Sequence, residues 1–317
     1  MIVSKVPMPD PVRNAIRAVV PRSLRNWLRS PAKSAAWVWD SVRFTSGKSA
    51  ILEISPNVSL VCHPRASRIF RRDQMGDSEQ SAEFRAFISC CSKSMTLYDI
   101  GAHFGVFSLA AAKLGGKAVA VDASPVATRM IEIEAELNKC DDRIEIICAA
   151  VSDHSGDLDM LSSGVFSDGY FKTTRRMGRE TTKVRAIAID QMVPQFGPPT
   201  HIKIDVEGHE RSVLRGATET LNRFSPVLFL ELHNQMIAAD GHDPKAVLDD
   251  LARFQYRTFA LSGRAIDAVT TEPGSNQGIA RTQRDANRRL GRGAVPLNHS
   301  AVVSSQRRRK PRPTKIE

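Results

Sequence analysis

Two short stretches of the chain concentrate acids and imidazoles. Residues 202–210 read IKIDVEGHE and residues 230–233 read LELH. Strand alternation in the first places Ile202, Ile204 and Val206 on one side and Lys203, Asp205 and Glu207 on the other. A central parallel strand is normally apolar on both faces, so polar residues near its C-terminal end point to the ligand crevice that borders that end in open α/β sheets. His209 and Glu210 fall in the turn into the next helix, and Glu231 and His233 come to the same edge at the end of the following strand. Asp205, Glu207, His209, Glu231 and His233 together offer a general base and hydrogen bonds to a substrate. Ligands for a divalent ion and a purely structural pairing, such as Lys203 with Glu207, are the alternatives, and no metal ligand is assigned.

A second group lies earlier. Residues 98–105, YDIGAHFG, run from an apolar strand through a glycine turn into an apolar helix. Glycines there let a ligand approach the backbone, and the helix N-terminus offers free amide donors. The Gly101 to Gly105 spacing is G-x-x-x-G, whereas dinucleotide sites place G-x-G-x-x-G at this point. Asp99, ahead of the first glycine, would repel a pyrophosphate but suits an ammonium group. The ligand implied is an amino acid joined to a nucleoside. Asp122 ends the next strand, 17 residues after Gly105, where an acid accepts hydrogen bonds from both hydroxyls of a ribose. A plain helix-entry aspartate ahead of Pro125 is the competing reading.

The elements that must carry these groups follow from periodicity. From Thr96 to about Leu261 apolar strands alternate with amphipathic helices, the pattern of a parallel sheet covered on both faces. Strands are expected at Thr96 to Ile100, Ala118 to Asp122, Ile144 to Cys148, His201 to Asp205, Val227 to Glu231 and Arg257 to Leu261. Helices are expected at Val106 to Leu114, Pro125 to Asn138, Glu210 to Leu221 and Pro244 to Phe254, the second capped by Ser124 before Pro125. Residues 51–62 read as two short strands about Ser55, Pro56 and Asn57, and Ser81 to Cys90 as a helix. The domain reading is therefore a basic helical segment with a small cap over 1–94, the main domain over 95–270, and a basic, disordered tail over 271–317.

The 317 residues are 42% hydrophobic and 25% charged, as suits a globular core, and no apolar run approaches the ~20 residues of a membrane span. The net charge of +11 belongs to the ends: residues 277–317 carry +9 and residues 1–34 carry +6, which leaves −4 for the body. Residues 11–28 have helical apolar spacing with arginines between. Packing and solvation are the readings composition favours at both ends, with weak contact to an acidic membrane surface or nucleic acid as the alternative. Five cysteines, odd in number and without C-x-x-C spacing, predict a reducing, cytoplasmic setting, with peripheral membrane contact through the basic ends as the alternative.

In order and spacing, YDIGAHFGVFSL, VDASP, AAVSD with Gly156, IKIDVEGHE followed by Leu214 to Ala217, and LFLELH resemble the FkbM-type S-adenosylmethionine-dependent methyltransferases over about residues 95–262. The resemblance implies a class I, Rossmann-like α/β fold: a seven-stranded, mostly parallel sheet with one antiparallel strand and helices on both faces. It also implies S-adenosylmethionine as cofactor and methyl transfer to a hydroxyl of a small molecule or glycan, often a sugar or polyketide. Carried onto this chain, it gives Asp99, Gly101 and Gly105 the methionine portion and Asp122 the ribose. Val121 and Ala123 would flank the nucleoside, Asp153 would lie by the adenine edge, and Asp205 would sit near the sulfonium. His103 stands in the cofactor turn where the family usually has Asn, and Asp122 where it usually has Glu. The expected reaction is O-methylation of a carbohydrate or secondary metabolite, with His209 or His233 taking the proton and Asp205, Glu207 and Glu231 positioning it. An RNA methyltransferase is the alternative enzyme, though an aromatic content of 6% is low for a stacking RNA reader. A non-catalytic binding protein on the same fold is the alternative outside enzymes.

Overall fold

The alternation of apolar residues decides which helices cover which face of the sheet. The structure, a computed structural model, describes residues 49–64, 66–67, 79–162, 171–173, 182–239, 241–260 and 277–282. The amphipathic stretch at 11–28 and the chain beyond 282 lie outside the described residues.

Five strands run parallel: β3 (Thr96–Ile100), β4 (Lys117–Asp122), β5 (Ile144–Cys148), β10 (His201–Ile204) and β11 (Val227–Glu231). The sheet is completed by β12 (Tyr256–Ala260) and β13 (Gln277–Thr282), in the order β12-β13-β11-β10-β3-β4-β5. Because β13 is antiparallel to both β11 and β12, it is the one reversed strand among seven, as the family resemblance implies. Strand order reverses between β3 and β10: the chain builds outward through β4 and β5, then returns to the other side of β3. Ligands bind α/β sheets at such a switch, beyond the C-terminal strand ends.

One face of the sheet presents Leu97, Ala118, Ala120 and Phe229. It packs against α1 (Glu79–Cys90), α2 (Val106–Lys113) and α3 (Pro125–Asn138) through Phe84, Phe87, Leu109 and Ile131. The other face presents Tyr98, Ile100, Val119, Val121, Ile202, Ile204, Leu228 and Leu230. It packs against α4 (Ile189–Phe196), α5 (Glu210–Arg215), α6 (Thr218–Phe224) and α8 (Lys245–Arg253), and the short α7 (Asn234–Ala239) adds Ile237. Fully burying such side chains contributes about 1.5–3 kcal/mol each.

The hairpin of β1 (Ala50–Ser55) and β2 (Val58–Cys62) turns where the sequence places it. It is not a separate cap, since Leu52, Leu60 and Cys62 join the core of the first face. Two residues on α3 hold its edge: Asn138 bonds both backbone groups of Val61, at 2.8 and 2.7 Å, and Glu134 accepts the His63 amide at 2.6 Å.

Three expectations need correction. The sheet takes Gln277–Thr282 from the stretch assigned to a tail, so the domain extends past 270. A backbone ladder on both sides of β13 does not depend on an apolar pattern, and QGIART shows none. The helix expected over Glu210 to Leu221 is two helices. It breaks at Gly216, where a Cβ would stand 2.0 Å from the Ser152 carbonyl oxygen, and Asp190 accepts the Glu219 and Thr220 amides at the start of α6. Lys203 does not pair with Glu207, because its ammonium lies against Glu83 and Asp205. Periodicity also missed a small second sheet, β6 (Ala150–Val151), β9 (Thr182–Ile187), β7 (Gly156–Ser162) and β8 (Phe171–Thr173), adjacent in that order.

Candidate active site

At the switch point, a cavity of about 210 Å³ opens over the ends of β3, β4, β10 and β11. Gly101, His103, Asp122 and Ala123 line one end of it, together with Val121. Asp205, Glu207, His209, Glu231 and His233 line the rest, with Met160 and residues 149–151 along one wall. All five residues singled out for catalysis therefore come together, as do four of the seven assigned to the cofactor.

Backbone conformation shapes the first end. Gly101, His103 and Gly105 all have positive φ, at 79°, 51° and 65°. A Cβ on Gly101 would stand 1.9 Å from the carbonyl oxygen of Asp205, so only glycine lets the turn after β3 cross the end of β10. A left-handed histidine is uncommon and marks a turn held in place by its surroundings. Asp122 supplies the hold: its two carboxylate oxygens accept the His103 and Ser124 amides, each at 2.8 Å. Burial pushes this carboxyl up to about 6, against the pull of those two amides.

Asp99, Gly105 and Asp153 stand off the cavity wall. One oxygen of Asp99 accepts both the amide and the hydroxyl of Ser108, at 3.1 and 2.7 Å, tying β3 to the start of α2. The carboxylate thus braces the turn that follows β3. Gly105 begins α2 and packs against Ile131. The side chain of Asp153 faces His154 and Ser152, at 2.7 and 3.2 Å, and does not reach the cavity expected for the adenine edge.

Charge shapes the second end. In register, Asp99 on β3 pairs with Lys203 on β10, and both side chains are almost fully buried. The Lys203 ammonium lies 3.4 Å from Glu83 of α1, 3.6 Å from Asp205 and 5.1 Å from the centre of the Phe107 ring. Burial works against its charge, but Glu83, Asp205 and Glu231 outweigh that and raise its affinity for the proton. Burial pushes Glu83 up to about 7 even beside Lys203. Burial also opposes ionisation of Asp205, yet Lys203, His233 and His103 hold its carboxyl below the usual value.

His233 Nε2 lies 3.7 Å from Asp205 and 3.8 Å from Glu231, while its Nδ1 is bonded to Glu210 at 2.7 Å. Asp205, Glu231 and His233 offer donors within 4.8 Å of one another, close enough to admit a cation, but Lys203 already supplies a positive charge beside Asp205. His209 precedes α5 as its N-cap residue, and its Nε2 lies 3.0 Å from the hydroxyl of the buried Ser152.

Two contributors escaped the sequence. Glu210 read as an ordinary acid in a first helical turn, and nothing local shows that it meets His233, 23 residues on. Glu83 lies in a helix ahead of the main alternation, and its one sequence signal is an acid on the face that also carries Phe84 and Phe87.

Sheet order, reversed seventh strand and crevice define a class I methyltransferase. Residues 99–258, half of the chain, match the methyltransferase FkbM domain, and the chain belongs to that family. Among curated relatives, the hexuronic acid methyltransferase AglP of Haloferax volcanii is 32% identical over 110 residues, 34% of this chain and 42% of that protein. The ribosomal protein L11 methyltransferase of Bacillus cereus is 30% identical over 111 residues, 34% of this chain and 31% of that protein. The matched stretch thus spans well under half the length of either relative. Solved structures similar to the chain include a methyltransferase FkbM from Methylobacillus flagellatus KT (TM-score 0.42, 18% identity, 64% of this chain and 48% of that one). The O-methyltransferase from Bacillus cereus in complex with SAH is another (TM-score 0.37, 12% identity, 86% and 96% of the two chains). Among the described residues no helix is long and apolar enough to cross a membrane.

Proposed function

We propose that the protein transfers a methyl group from S-adenosylmethionine to a hydroxyl of a carbohydrate or secondary metabolite. The observation that carries this reading is the division of one cavity into a nucleoside-fitting end, at Gly101 and Asp122, and an acid–imidazole end, at Asp205, Glu207, His209, Glu231 and His233. The donor set fits the cofactor: carboxylates suit a ribose diol and groups that carry positive charge, and the glycine turn permits close approach. Asp122 would hold the ribose, Val121 and Ala123 would flank the nucleoside, and the turn from Gly101 to His103 would face the methionine portion. When bound, the cofactor supplies an electrophilic methyl carbon on a sulfonium. The chain's contribution is alignment of the hydroxyl with that carbon, which accounts for much of what an enzyme can supply to a displacement, and removal of the hydroxyl proton. Asp205 would lie nearest the reacting centre. Four carboxylates on the wall repel the phosphates of an RNA acceptor, so the observed lining favours an uncharged hydroxyl.

Calorimetric titration with S-adenosylhomocysteine tests the cofactor half. Saturable one-site binding is expected, weakened about tenfold or more in Asp122→Ala, since a hydrogen bond to a charged group contributes about 1.5–3 kcal/mol. A screen for methylated products, beginning with sugars, then identifies the acceptor. A folded protein that does not bind S-adenosylhomocysteine would leave the non-catalytic reading.

A further inference from the structure

We propose that His233 is the group that takes the acceptor's proton and that Glu210 is the residue that positions it. The inference rests on the methyl-transfer reading above and decides between the two imidazoles that border the cavity.

Glu210 is fully buried in the first turn of α5. Its Oε1 accepts the Gly208 amide at 3.0 Å and meets His233 Nδ1 at 2.7 Å, so the carboxylate is fixed by the backbone of the same loop that it uses to orient the ring. A carboxylate oxygen that already accepts an amide leaves Nδ1 the donor, which puts the lone pair of the neutral ring on Nε2. That nitrogen faces the cavity. Its separations of 3.7 and 3.8 Å from Asp205 and Glu231 are too long for hydrogen bonds, while a hydroxyl oxygen placed between them comes within reach of all three. His209 is arranged otherwise. Its Nε2 is already engaged with the hydroxyl of Ser152 at 3.0 Å, a residue that does not line the cavity.

In the step, the hydroxyl oxygen bonds the methyl carbon as the carbon–sulfur bond breaks. That electron pair remains on sulfur, and the hydroxyl proton passes to Nε2. The imidazolium that results is flanked by Asp205 and Glu231 and backed by Glu210, then loses its proton to water at the cavity mouth. The groups facing the ring are Glu210 from α5, Asp205 from the end of β10 and Glu231 from β11. Burial disfavours the charged ring, but these three carboxylates outweigh it and push His233 up to about 9. The basic form therefore grows as pH rises through that value.

The experiment is nitrogen NMR of histidine-labelled full chain with S-adenosylhomocysteine present, beside pH–rate profiles on the acceptor that the sugar screen identifies. The neutral His233 ring is expected to carry its proton on Nδ1. Glu210→Gln should move its titration toward acid, and the limb of kcat/KM should move with it, while S-adenosylhomocysteine affinity stays unchanged. His209→Ala should leave the limb in place and His233→Ala should remove it. A neutral ring protonated on Nε2, seen in the wild-type chain alone, overturns the proposal, as does a His233 titration indifferent to Glu210→Gln. Activity lost to a chelator and restored by Mn²⁺ overturns it too, since an ion held there would occupy Nε2. If S-adenosylhomocysteine does not bind, the methyl-transfer reading fails, and the tautomer measurement still reports on the dyad.

Discussion

At the Gly101 end of the cavity the wall is made by backbone: three positive φ angles within five residues, and one carboxylate whose two oxygens hold amides. At the Asp205 end the chain also turns through positive φ, at Glu207 and Gly208, but the wall is made by charge: Lys203 lies 3.6 Å from Asp205, and His233 lies 3.7 Å from Asp205 and 3.8 Å from Glu231. The difference matches the two tasks proposed for these ends. Holding an invariant ligand calls for a shape that does not adapt, whereas taking a proton calls for groups whose charge can change.

Gly101→Ala is the largest intervention. A Cβ 1.9 Å from a carbonyl oxygen cannot be relieved by a rotamer change, because both partners are backbone. S-adenosylhomocysteine binding should disappear, with a loss of stability on the order of 3 kcal/mol read by denaturant unfolding. Normal binding would mean that shape at this end is not fixed by backbone.

Glu83→Gln tests the other end from beneath. It leaves Lys203 buried with Asp205 as its remaining close carboxylate partner, and removing one member of a buried pair costs about 3 kcal/mol. Turnover should fall by about an order of magnitude, equivalent to ~1.4 kcal/mol of barrier, while S-adenosylhomocysteine affinity stays within about twofold. Equal losses in both would show that the two ends are one mechanical unit.

The smallest effect is one of pH on stability. Asp99, Asp122, Glu83 and Glu134 are pushed up by burial, to about 6, 6, 7 and 8, and His233 is raised to about 9 by its carboxylates. Each binds its proton more tightly folded than unfolded, so each contributes stability that is complete below its unfolded value and lost as pH rises through its folded one. Asp205, held low, works in the opposite sense on the acid side. The melting temperature should decline from pH 5 to pH 9. Glu134→Gln, away from both ends of the cavity, should flatten that slope without altering cofactor affinity. An unchanged slope would assign the titration to the cavity groups alone.

The elements around the cavity were legible where periodicity is local. The spans of β3, β5, β11 and α3 fall where apolar alternation and the Ser124–Pro125 cap place them. The break at Gly216 was not, because its cause is the approach of Ser152, distant in sequence. Nor was β13, whose residues pair through backbone on both sides without an apolar signature.

The sequence by itself determined which residues could do chemistry and that they would reach one edge of a parallel sheet. Residue type and strand period are local properties, and they put Asp122, Asp205, Glu231 and His233 at strand ends without reference to anything else. Only the tertiary structure decided which nitrogen of His233 faces the cavity, that Asp99 braces a turn, and that Lys203 answers Glu83. Those outcomes depend on distances between segments far apart along the chain, and the proton affinity of a buried group is set by whatever charge packing brings beside it.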